Sequence, residues 1–383
     1  MALSPLPLGY CTNVHAGLTV ADVLAGLDRY TVPVMNQIGR PVAAGLWLAR
    51  PVVDELLAQP DGMAKFAAEL ASRKLVCYTL NAFPYGDFHA ARVKENVYLP
   101  DWSQPERLTY TAECATALAA LLPEGTDGSI STLPLGFKGF DHPSDFDEKC
   151  IRNLISCAEW FDRVRKEAGR TIRLAIEPEP FCRLETTEET IAFFGELWKQ
   201  AGSRERLVRE FIGVCYDVCH QAVEFESISE SVASLAAAGA RINKVQISCA
   251  VQWDDPKKNV AGRDALRHFV EPRYLHQTFA RGRSGVSKAV DLTAALLDSP
   301  PAGFAEADCW RVHFHVPVDA ERIGPLATTR PAVVEALAAI AKLDYASHLE
   351  VETYTWNVLP GAKGVNLVDG LAKELIATHR LMG

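Results

Sequence analysis

Short apolar segments alternate with longer amphipathic segments along almost the whole chain of 383 residues. The apolar segments are typical of buried strands, and the segments between them have the spacing of helices that cover a sheet. Strands that alternate with helices form a parallel sheet, because each helix carries the chain back to the same end of the sheet. The pattern contains eight such units and one surplus strand at 311–316. It therefore predicts a (β/α)8 TIM barrel.

The barrel is predicted to form one domain over residues 1–383. A segment at about 252–308 interrupts the alternation after the seventh strand, and we interpret it as an insertion of mixed helical character. An open, doubly wound sheet is the alternative to a barrel, but no Gly-x-Gly-x-x-Gly turn follows the first predicted strand. No linker rich in Pro, Gly or Ser divides the chain, which favours a single domain.

Composition and charge narrow the classes of function. The formal net charge of −9 repels polyanions, so we expect no nucleic acid partner. No apolar run approaches the roughly 20 residues that span a bilayer, and the N-terminus lacks the pattern of a signal peptide. We therefore expect a cytoplasmic protein without a membrane span. The ten cysteines form no Cys-x-x-Cys pair and are interpreted as small core residues. An oligomer is compatible with the sequence.

Four of the predicted strands carry, at or near the end, a polar side chain that points toward the barrel axis. These residues are Glu177, Asp217, Gln246 and Glu352. In the fifth strand Leu174 and Ile176 face the helices, and the alternation of a strand then turns Glu177 inward. The reactive groups of a barrel lie at the carboxyl ends of its strands. Carboxylate and amide oxygens suit Mn²⁺, Mg²⁺ or Co²⁺, and Zn²⁺ is an alternative.

A single buried acid has a simpler explanation, since carboxylates commonly pair with arginines or with the ends of helices. Four polar residues at the ends of four consecutive strands favour a shared ligand instead, and we predict one divalent metal ion there. Glu179 and Glu350 have the same inward phase but lie one step from the expected height of the ligands. They are weaker candidates for contact with the metal or the substrate.

The motifs Ala175-Ile-Glu177, Asp217-x-x-His220, Val245-Gln-Ile247 and Glu352 together resemble the metal-site motifs of the xylose isomerase-like TIM barrels. That superfamily includes ketohexose 3-epimerases, hydroxypyruvate isomerases and the endonuclease IV group. The resemblance implies that Glu177, Asp217, Gln246 and Glu352 bind the metal. The isomerases more often have His in the place of Gln246, although the hydroxypyruvate isomerases also use Gln.

The same resemblance implies an activity. It points to an isomerase or epimerase of a small carbohydrate-like substrate, a sugar or a sugar phosphate, that moves a proton at the carbon next to a carbonyl. Glu177 and Glu352 would then act as base and acid on opposite sides of the substrate. His220 would contact a substrate oxygen, whereas in the endonucleases the corresponding histidine binds zinc.

A narrower set of motifs is similar to the TIM-barrel proteins of ebo metabolite-traffic operons. It comprises residues 9–15, 81–86, 177–180 and 350–356. This similarity runs almost from end to end and implies that the chain makes or moves a small metabolite.

Two alternatives remain open on the sequence. A multi-zinc phosphodiesterase or endonuclease IV-like hydrolase would use Asp217 and His220, and His313 and His315 would replace its usual Asp-x-His pair. Such an enzyme also needs histidines at the ends of earlier strands, and the predicted third and fourth strands end without them. The other alternative is a barrel that binds a metabolite without turning it over.

Residues outside the four strand ends supply further candidates. A second zinc could use His15, His89 or His276, although a hydrogen-bonded structural role is the more common one for a single histidine. The long loop at 81–105 is predicted to be a lid over the site. Its aromatic residues would either close over the substrate or simply pack beneath the loop: Phe83, Tyr85, Phe88 and Trp102.

Overall fold

The computed structural model describes residues 3–361 and 364–383. Its strands, numbered along the chain, are β1 (Gly9–Cys11), β2 (Ala43–Trp47), β3 (Thr79–Asn81), β4 (Gly128–Thr132), β5 (Ile172–Ile176), β6 (Ile212–Asp217), β7 (Ile242–Ile247), β8 (Cys249–Asp254), β9 (Thr278–Gly282), β10 (Gly285–Ala289), β11 (Cys309–Val316), β12 (Arg322–Ile323), β13 (Leu326–Thr328) and β14 (His348–Val351). Eight of them form a closed barrel in the order β1-β14-β7-β6-β5-β4-β3-β2. The predicted (β/α)8 TIM barrel is confirmed.

Helices follow the barrel strands and cover the outside of the barrel, except for the three helices between 260 and 305, which belong to the segment inserted after β7. They are α1 (Val20–Gly26), α2 (Val32–Ile38), α3 (Arg50–Ala58), α4 (Gly62–Ser72), α5 (Pro105–Leu121), α6 (Phe146–Ala168), α7 (Thr187–Ala201), α8 (Glu205–Phe211), α9 (Val218–Val223), α10 (Ile228–Ala238), α11 (Val260–Leu266), α12 (Ala294–Asp298), α13 (Ala302–Ala305), α14 (Arg330–Ile340) and α15 (Leu367–Met382). Helix α7 begins at a capping box, in which Thr186 and Glu189 bond to each other's backbone N–H groups. Within the described ranges, no helix has the length and apolar character needed to cross a membrane.

The register of the barrel places the predicted ligands at one end. Asp217 lies opposite Gln246 where β6 pairs with β7. Glu177 and Glu352 directly follow the last residues of β5 and β14. All four residues therefore lie at the carboxyl end of the barrel strands, where the active sites of TIM barrels are built.

A buried ion pair lies in the barrel interior, next to the carboxyl end of the strands. Lys244 Nζ lies 2.8 Å from Glu350 Oε2, and the two side chains are almost completely buried. Gly45 of β2 leaves space for the pair, because a Cβ atom there would lie only 1.5 Å from Glu350 Oε1. Glu350 is thus engaged by a cationic side chain of the barrel core, two residues before Glu352.

The insertion after β7 is mainly a second sheet. Its strands pair in the order β10-β9-β11-β8-β13-β12, and they extend from Cys249 to Thr328. Within 252–308 the short helices α11, α12 and α13 lie among strands, as the expected mixed helical character predicts, but the sheet itself was not predicted. The surplus strand of the prediction is β11, which pairs with both β8 and β9.

The long loop between β3 and α5 is tied to this insertion. The backbone N–H of Lys94 donates to Arg273 O over 2.8 Å. Its Nζ donates to the backbone carbonyl oxygens of Glu271 and Tyr274 and to Asp291 Oδ2, over 3.1, 2.6 and 2.7 Å. Loop and insertion therefore form one cover over the carboxyl end of the barrel.

Candidate metal centre

Three buried carboxylates converge at the carboxyl end of the barrel. One oxygen from each of Glu177, Asp217 and Glu352 lies within 4.8 Å of the others. The three residues are 3%, 0% and 4% exposed. Buried like charges repel one another strongly. The arrangement therefore requires either a cation between the carboxylates or protons on them.

Several polar atoms around the carboxylates have no hydrogen-bond partner among the residues that the structure describes. They are Glu177 Oε2, Asp217 Oδ2 and both polar atoms of the Gln246 amide. Leaving a buried polar atom unsatisfied costs about 1–3 kcal/mol. Oxygen atoms of this kind fit a divalent cation, so Glu177, Asp217, Gln246 and Glu352 are suited to hold one.

Burial and mutual repulsion change the ionisation of these acids. Burial raises the pKa of Glu177 well above its usual value, and the charges of Glu352 and Asp217 raise it further. Burial, with the charges of Asp217 and Glu350, raises the pKa of Glu352 to about 8. The charge of Lys244 lowers the pKa of both groups. Because a metal ligand must be deprotonated, cation binding and ionisation are coupled here.

Two asparagine side chains orient Glu352. The Nδ2 groups of Asn13 and Asn81 donate to Glu352 Oε1 over 2.8 and 3.0 Å. Asn81 is the last residue of β3, and its Oδ1 accepts from the backbone N–H of Phe83, which sets the orientation of the amide. Neither asparagine was predicted from the sequence to contact the site. Asn81 carried a signal, because it ends a predicted strand as the acids do, whereas Asn13 lies in a turn after β1.

Asp217 has a structural role beside its free oxygen. Its Oδ1 accepts from the backbone N–H of His220, in the first turn of α9, and from Ser248 Oγ, over 3.0 and 2.8 Å. Ser248 follows β7 directly and was also missed from the sequence. These bonds fix the carboxylate while Oδ2 remains available for a ligand.

The insertion brings two histidines to the edge of the site. His313 and His315 lie on β11, and the ring centroids are 4.5 and 5.8 Å from that of His220. Burial lowers the pKa of His313 well below its usual value, and the neighbouring imidazoles lower it further. Burial lowers the pKa of His315 to about 4. Both rings are therefore neutral at pH 7.

The other candidate histidines have structural partners. His276 places one ring nitrogen beside a backbone carbonyl of β11 and the other 2.7 Å from Glu271 Oε1. His15 Nε2 lies 3.2 Å from Tyr10 Oη, and His89 Nε2 lies 2.8 Å from a backbone carbonyl oxygen. In the described part of the chain, none of the three belongs to a group of three potential metal ligands.

Glu179 lies beside two of the histidines rather than among the three converging carboxylates. Its Oε1 accepts from the hydroxyl of Tyr98 over 2.8 Å. It forms a group with His220 and His313 whose ligand atoms lie within 4.8 Å of one another. Burial raises the pKa of Glu179. Glu350, the other weaker candidate, is paired with a lysine instead.

A cavity opens beside the carboxylates. Glu177, Glu352 and His220 contribute to its polar side. Its apolar side chains come from the long loop, the insertion and the segment after β14: Phe83, Phe88, Tyr98, Tyr274, Leu275 and Tyr354. The site thus combines acids with an apolar wall, as expected where a small molecule binds.

Of the four aromatic residues named in the long loop, two line the cavity and two pack against the protein instead. Phe83 and Phe88 line the cavity. Tyr85 instead packs edge-on against Tyr110 of α5. The indole of Trp102 is buried and donates to a hydroxyl at the end of β4. Only the first two are therefore placed to contact a bound molecule.

No protein-family model and no curated protein sequence matches the chain significantly. Among solved structures, a xylose isomerase-like TIM barrel protein from Mycobacterium smegmatis, in complex with magnesium, matches with a TM-score of 0.52 at 12% identity, over 100% of both chains. An L-ribulose 3-epimerase matches with a TM-score of 0.50 at 14% identity, over 100% of this chain and 94% of its own. Identities this low carry information about the fold alone. The chain therefore has the fold of the xylose isomerase-like TIM barrels.

Proposed function

We propose that the chain is a sugar isomerase or epimerase that depends on a divalent cation and moves a proton at a carbon next to a carbonyl group. The observation that carries the proposal is the convergence of Glu177, Asp217 and Glu352 beside a cavity. The epimerase among the similar structures supports the reaction class, and the magnesium in the other supports a cation. The proposed ligands are Glu177, Asp217, Gln246 and Glu352, and Mn²⁺, Mg²⁺, Co²⁺ and Zn²⁺ are the candidate ions.

Glu177 and Glu352 are the proposed proton-transfer groups. Both line the cavity, and they follow β5 and β14, which β6 and β7 separate in the barrel. Carboxylates that approach a substrate from separate strands can remove a proton on one side and return it on another. A bound cation would polarise the carbonyl and hydroxyl oxygens of the substrate, which makes the neighbouring C–H group more acidic. Asn13 and Asn81 hold Glu352 in one orientation for this step.

Two further features of the cavity fit this chemistry. His220 lines the cavity, where its imidazole can contact a substrate oxygen. Phe83 and Phe88 come from the long loop and present apolar surface beside the acids. Excluding water from the site strengthens every electrostatic interaction within it and protects a carbanion-like intermediate from side reactions.

The charges around the cavity favour an uncharged sugar over a sugar phosphate. Lys94 is the only lysine or arginine among the described residues that line the cavity. Its ammonium group already has three oxygen acceptors. A phosphate would meet several carboxylates and no available cationic side chain, and phosphate sites normally supply one. We therefore expect neutral ketoses to be the better substrates.

Solvent exchange tests the reaction. In D₂O with Mn²⁺, the wild-type chain is expected to introduce deuterium at carbon in neutral ketoses, and more slowly in their phosphates. Glu177→Gln should reduce the exchange rate at least about 100-fold, because a positioned base contributes that much or more. Glu148→Gln, an exposed acid on α6, is the control and should leave the rate unchanged. Sugar binding without any exchange would contradict the enzyme and favour a non-catalytic metabolite-binding barrel.

The multi-zinc hydrolase is the less favoured alternative. Its chemistry would require histidines at the ends of β3 and β4, which end in Asn81 and Thr132. Asn81 instead donates a hydrogen bond to Glu352, one of the two proposed proton-transfer groups. A cytoplasmic location, a single-domain organisation, an oligomeric state and a role in metabolite traffic stay predictions.

A further inference from the structure

The cavity beside the acids is polar on the side of the barrel and apolar on the side of the cover. Its acids and amides lie at or shortly after the carboxyl ends of barrel strands, as Asn81, Glu177 and Glu352 do. The long loop and the insertion contribute side chains that have no hydrogen-bonding group: Phe83, Pro84, Phe88, Val93, Val97 and Leu275. The two kinds of surface come from different elements, and a molecule that fills the cavity meets both.

Three aromatic rings join the apolar wall across three elements. Phe88 belongs to the long loop, Tyr274 to the insertion and Tyr354 to the segment after β14. The ring centroid of Phe88 lies 4.9 Å from that of Tyr274 and 5.3 Å from that of Tyr354, and the two tyrosine centroids are 5.1 Å apart. Rings at these distances contact one another. The wall is therefore held together by its own side chains.

Two polar side chains of the cover are already bonded within the protein. The ammonium group of Lys94 has three oxygen acceptors. The hydroxyl of Tyr98 donates to Glu179 Oε1 over 2.8 Å and accepts from Gln277 Nε2 over 3.0 Å. Both groups are therefore engaged before a molecule enters the cavity.

The two tyrosines of the wall have their hydroxyls near other charged groups. The Tyr274 hydroxyl lies beside the Arg273 side chain. Burial raises the pKa of Tyr354, and the charges of Glu179 and Glu352 raise it further, which indicates that this hydroxyl lies on the side of the acids. Neither hydroxyl is therefore placed to serve the end of a bound molecule that lies far from the acids.

The hydroxylated chain of a sugar suits this wall poorly. The carbonyl and hydroxyl groups next to the reacting carbon meet the acids and the amides. Further hydroxyl groups would leave water and meet the apolar wall, where they lose their hydrogen bonds. A sugar can stack on an aromatic ring, but its hydroxyls still need partners at the edge of that ring. An apolar tail gains affinity instead, about fourfold for each methylene group buried.

We propose that the substrate is an amphipathic ketone, which has the hydroxy-ketone head of a ketose and an apolar alkyl or aryl tail in place of the hydroxylated chain. The head lies against Glu177 and Glu352, and the tail lies against Phe83, Phe88 and Leu275. This inference rests on the proposed function, because the head is the part that exchanges a proton. One proton leaves carbon and one returns, so the tail is unchanged and serves for recognition.

Two ketones of equal size test the tail. Erythrulose and 1,3-dihydroxypentan-2-one share the same head, and the tail ends in a hydroxyl group in the first and in a methyl group in the second. Deuterium incorporation in D₂O with Mn²⁺ gives kcat/KM for each compound. The wild-type chain should prefer the methyl compound at least about tenfold, as apolar pockets do for one matched group. It should prefer 1,3-dihydroxy-4-phenylbutan-2-one still more.

A variant of the wall tests the assigned residues. Phe88→Ala should lower the ratio of the rate with the phenyl compound to the rate with dihydroxyacetone, which is the head without a tail. Tyr85→Ala is the matched control, since Tyr85 belongs to the same loop but packs against Tyr110 of α5, and it should leave this ratio unchanged. The comparison of ketones on the wild-type chain is decisive whether or not the variants fold.

An equal or faster rate with erythrulose than with 1,3-dihydroxypentan-2-one would overturn the amphipathic substrate and leave the proposed reaction standing. An unchanged ratio in folded Phe88→Ala would overturn it too. Exchange with none of the compounds would instead refute the proposed reaction. Calorimetric dissociation constants, measured with Mn²⁺ present, then decide the ligand class. Tighter binding of the phenyl compound than of erythrulose would support the apolar tail, and equal or weaker binding would overturn it.

Discussion

At the scale of the residue, the acids of the site are oriented by neutral donors rather than by arginine or lysine. Asp217 is held by a backbone N–H and by Ser248, and Glu352 is held by Asn13 and Asn81. Neutral donors fix the geometry without placing a positive charge against the carboxylate oxygens. Carboxylates held in this way are ready to bind a cation without reorganisation, which is what a preorganised site requires.

Removing one of these donors gives a prediction about pH. The Asn13 amide stabilises charged Glu352 and lowers its pKa, which burial raises to about 8. Asn13→Ala should therefore raise this pKa further, so that the cation competes with a proton up to a higher pH. A hydrogen bond to a charged group contributes roughly 1.5–3 kcal/mol, so Mn²⁺ affinity at pH 7 should fall about tenfold or more.

Mn²⁺ titrations between pH 6 and pH 9 measure this shift. The pH midpoint of binding should move upward in Asn13→Ala. Asn153→Ala is the matched control, since Asn153 donates to Trp102 O away from the acids, and it should leave the midpoint unchanged. An unchanged or lower midpoint in Asn13→Ala would refute the assigned role.

The sequence predicts some of these residues better than others for a geometric reason. Strand alternation states which way a side chain points, and it singled out Glu177, Asp217 and Glu352, which the structure brings together. Alternation does not state how far along the barrel axis a side chain reaches. Glu350 has the inward phase too, yet it pairs with Lys244. Lys244 carried the same period-two signal, two residues before Gln246, and was not recognised.

At the scale of the element, the long loop after β3 is fastened to the insertion. The buried ammonium of Lys94 bonds to three oxygens of the 271–291 region. Phe83 and Phe88, which belong to the same loop, line the cavity. The ammonium therefore connects the wall of the cavity to the inserted sheet.

Lys94→Ala should weaken the attachment of the long loop to the insertion. The change leaves two carbonyl groups and Asp291 without their shared donor, which costs roughly 1–3 kcal/mol of stability. Amide hydrogen exchange should become faster in residues 86–98, and KM for a sugar substrate should rise while Mn²⁺ affinity stays the same. Lys65→Ala, which removes an exposed ion pair on α4, is the control. Unchanged exchange in the loop would show that Lys94 does not fasten it.

The insertion was the least predictable element. Its strands β8, β9 and β11 come from distant parts of the chain, and β11 pairs with both of the others. Pairing of this kind is not encoded in any local window, so a periodicity argument found β11 as a lone strand and missed the sheet around it. Periodicity could not place His313 and His315 beside His220, and only the resemblance behind the hydrolase alternative grouped the three histidines.

At the scale of the whole molecule, the barrel itself was predictable because its signal is repeated. Eight strand–helix units each give the same local evidence, and closure of a parallel sheet of eight strands is a well-populated solution. A wrong prediction for one strand–helix unit would not have changed the predicted fold. The sequence predicts the residues of the site only where they lie at the ends of these strands.

The buried acids also link the stability of the molecule to pH and to the cation. In the cation-free chain, the pKa of Glu352 is raised to about 8 and that of Glu177 well above its usual value. Groups whose folded pKa is raised favour folding at low pH, and that contribution is lost as the pH rises from about 4.5 toward 8. The cation-free chain should therefore lose stability over this range, and a bound cation should restore it.

Thermal unfolding with EDTA and with MnCl₂ checks this linkage. The rise in Tm caused by Mn²⁺ should be larger at pH 8 than at pH 5. Glu177→Gln replaces one of the acids with a neutral side chain, so its cation-free form should lose less stability with rising pH. An equal effect of Mn²⁺ at both pH values would contradict the linkage.

We propose that Glu177, Asp217, Gln246 and Glu352 form a divalent cation site, and a calorimetric Mn²⁺ titration measures binding at that site. The wild-type chain should bind Mn²⁺ saturably, with protons released on binding. Glu177→Gln and Asp217→Asn should bind at least about 100-fold more weakly, because each removes a charged ligand, and Glu148→Gln should bind like the wild type. No binding by the wild-type chain, or equal affinity in Glu177→Gln, would contradict the claim.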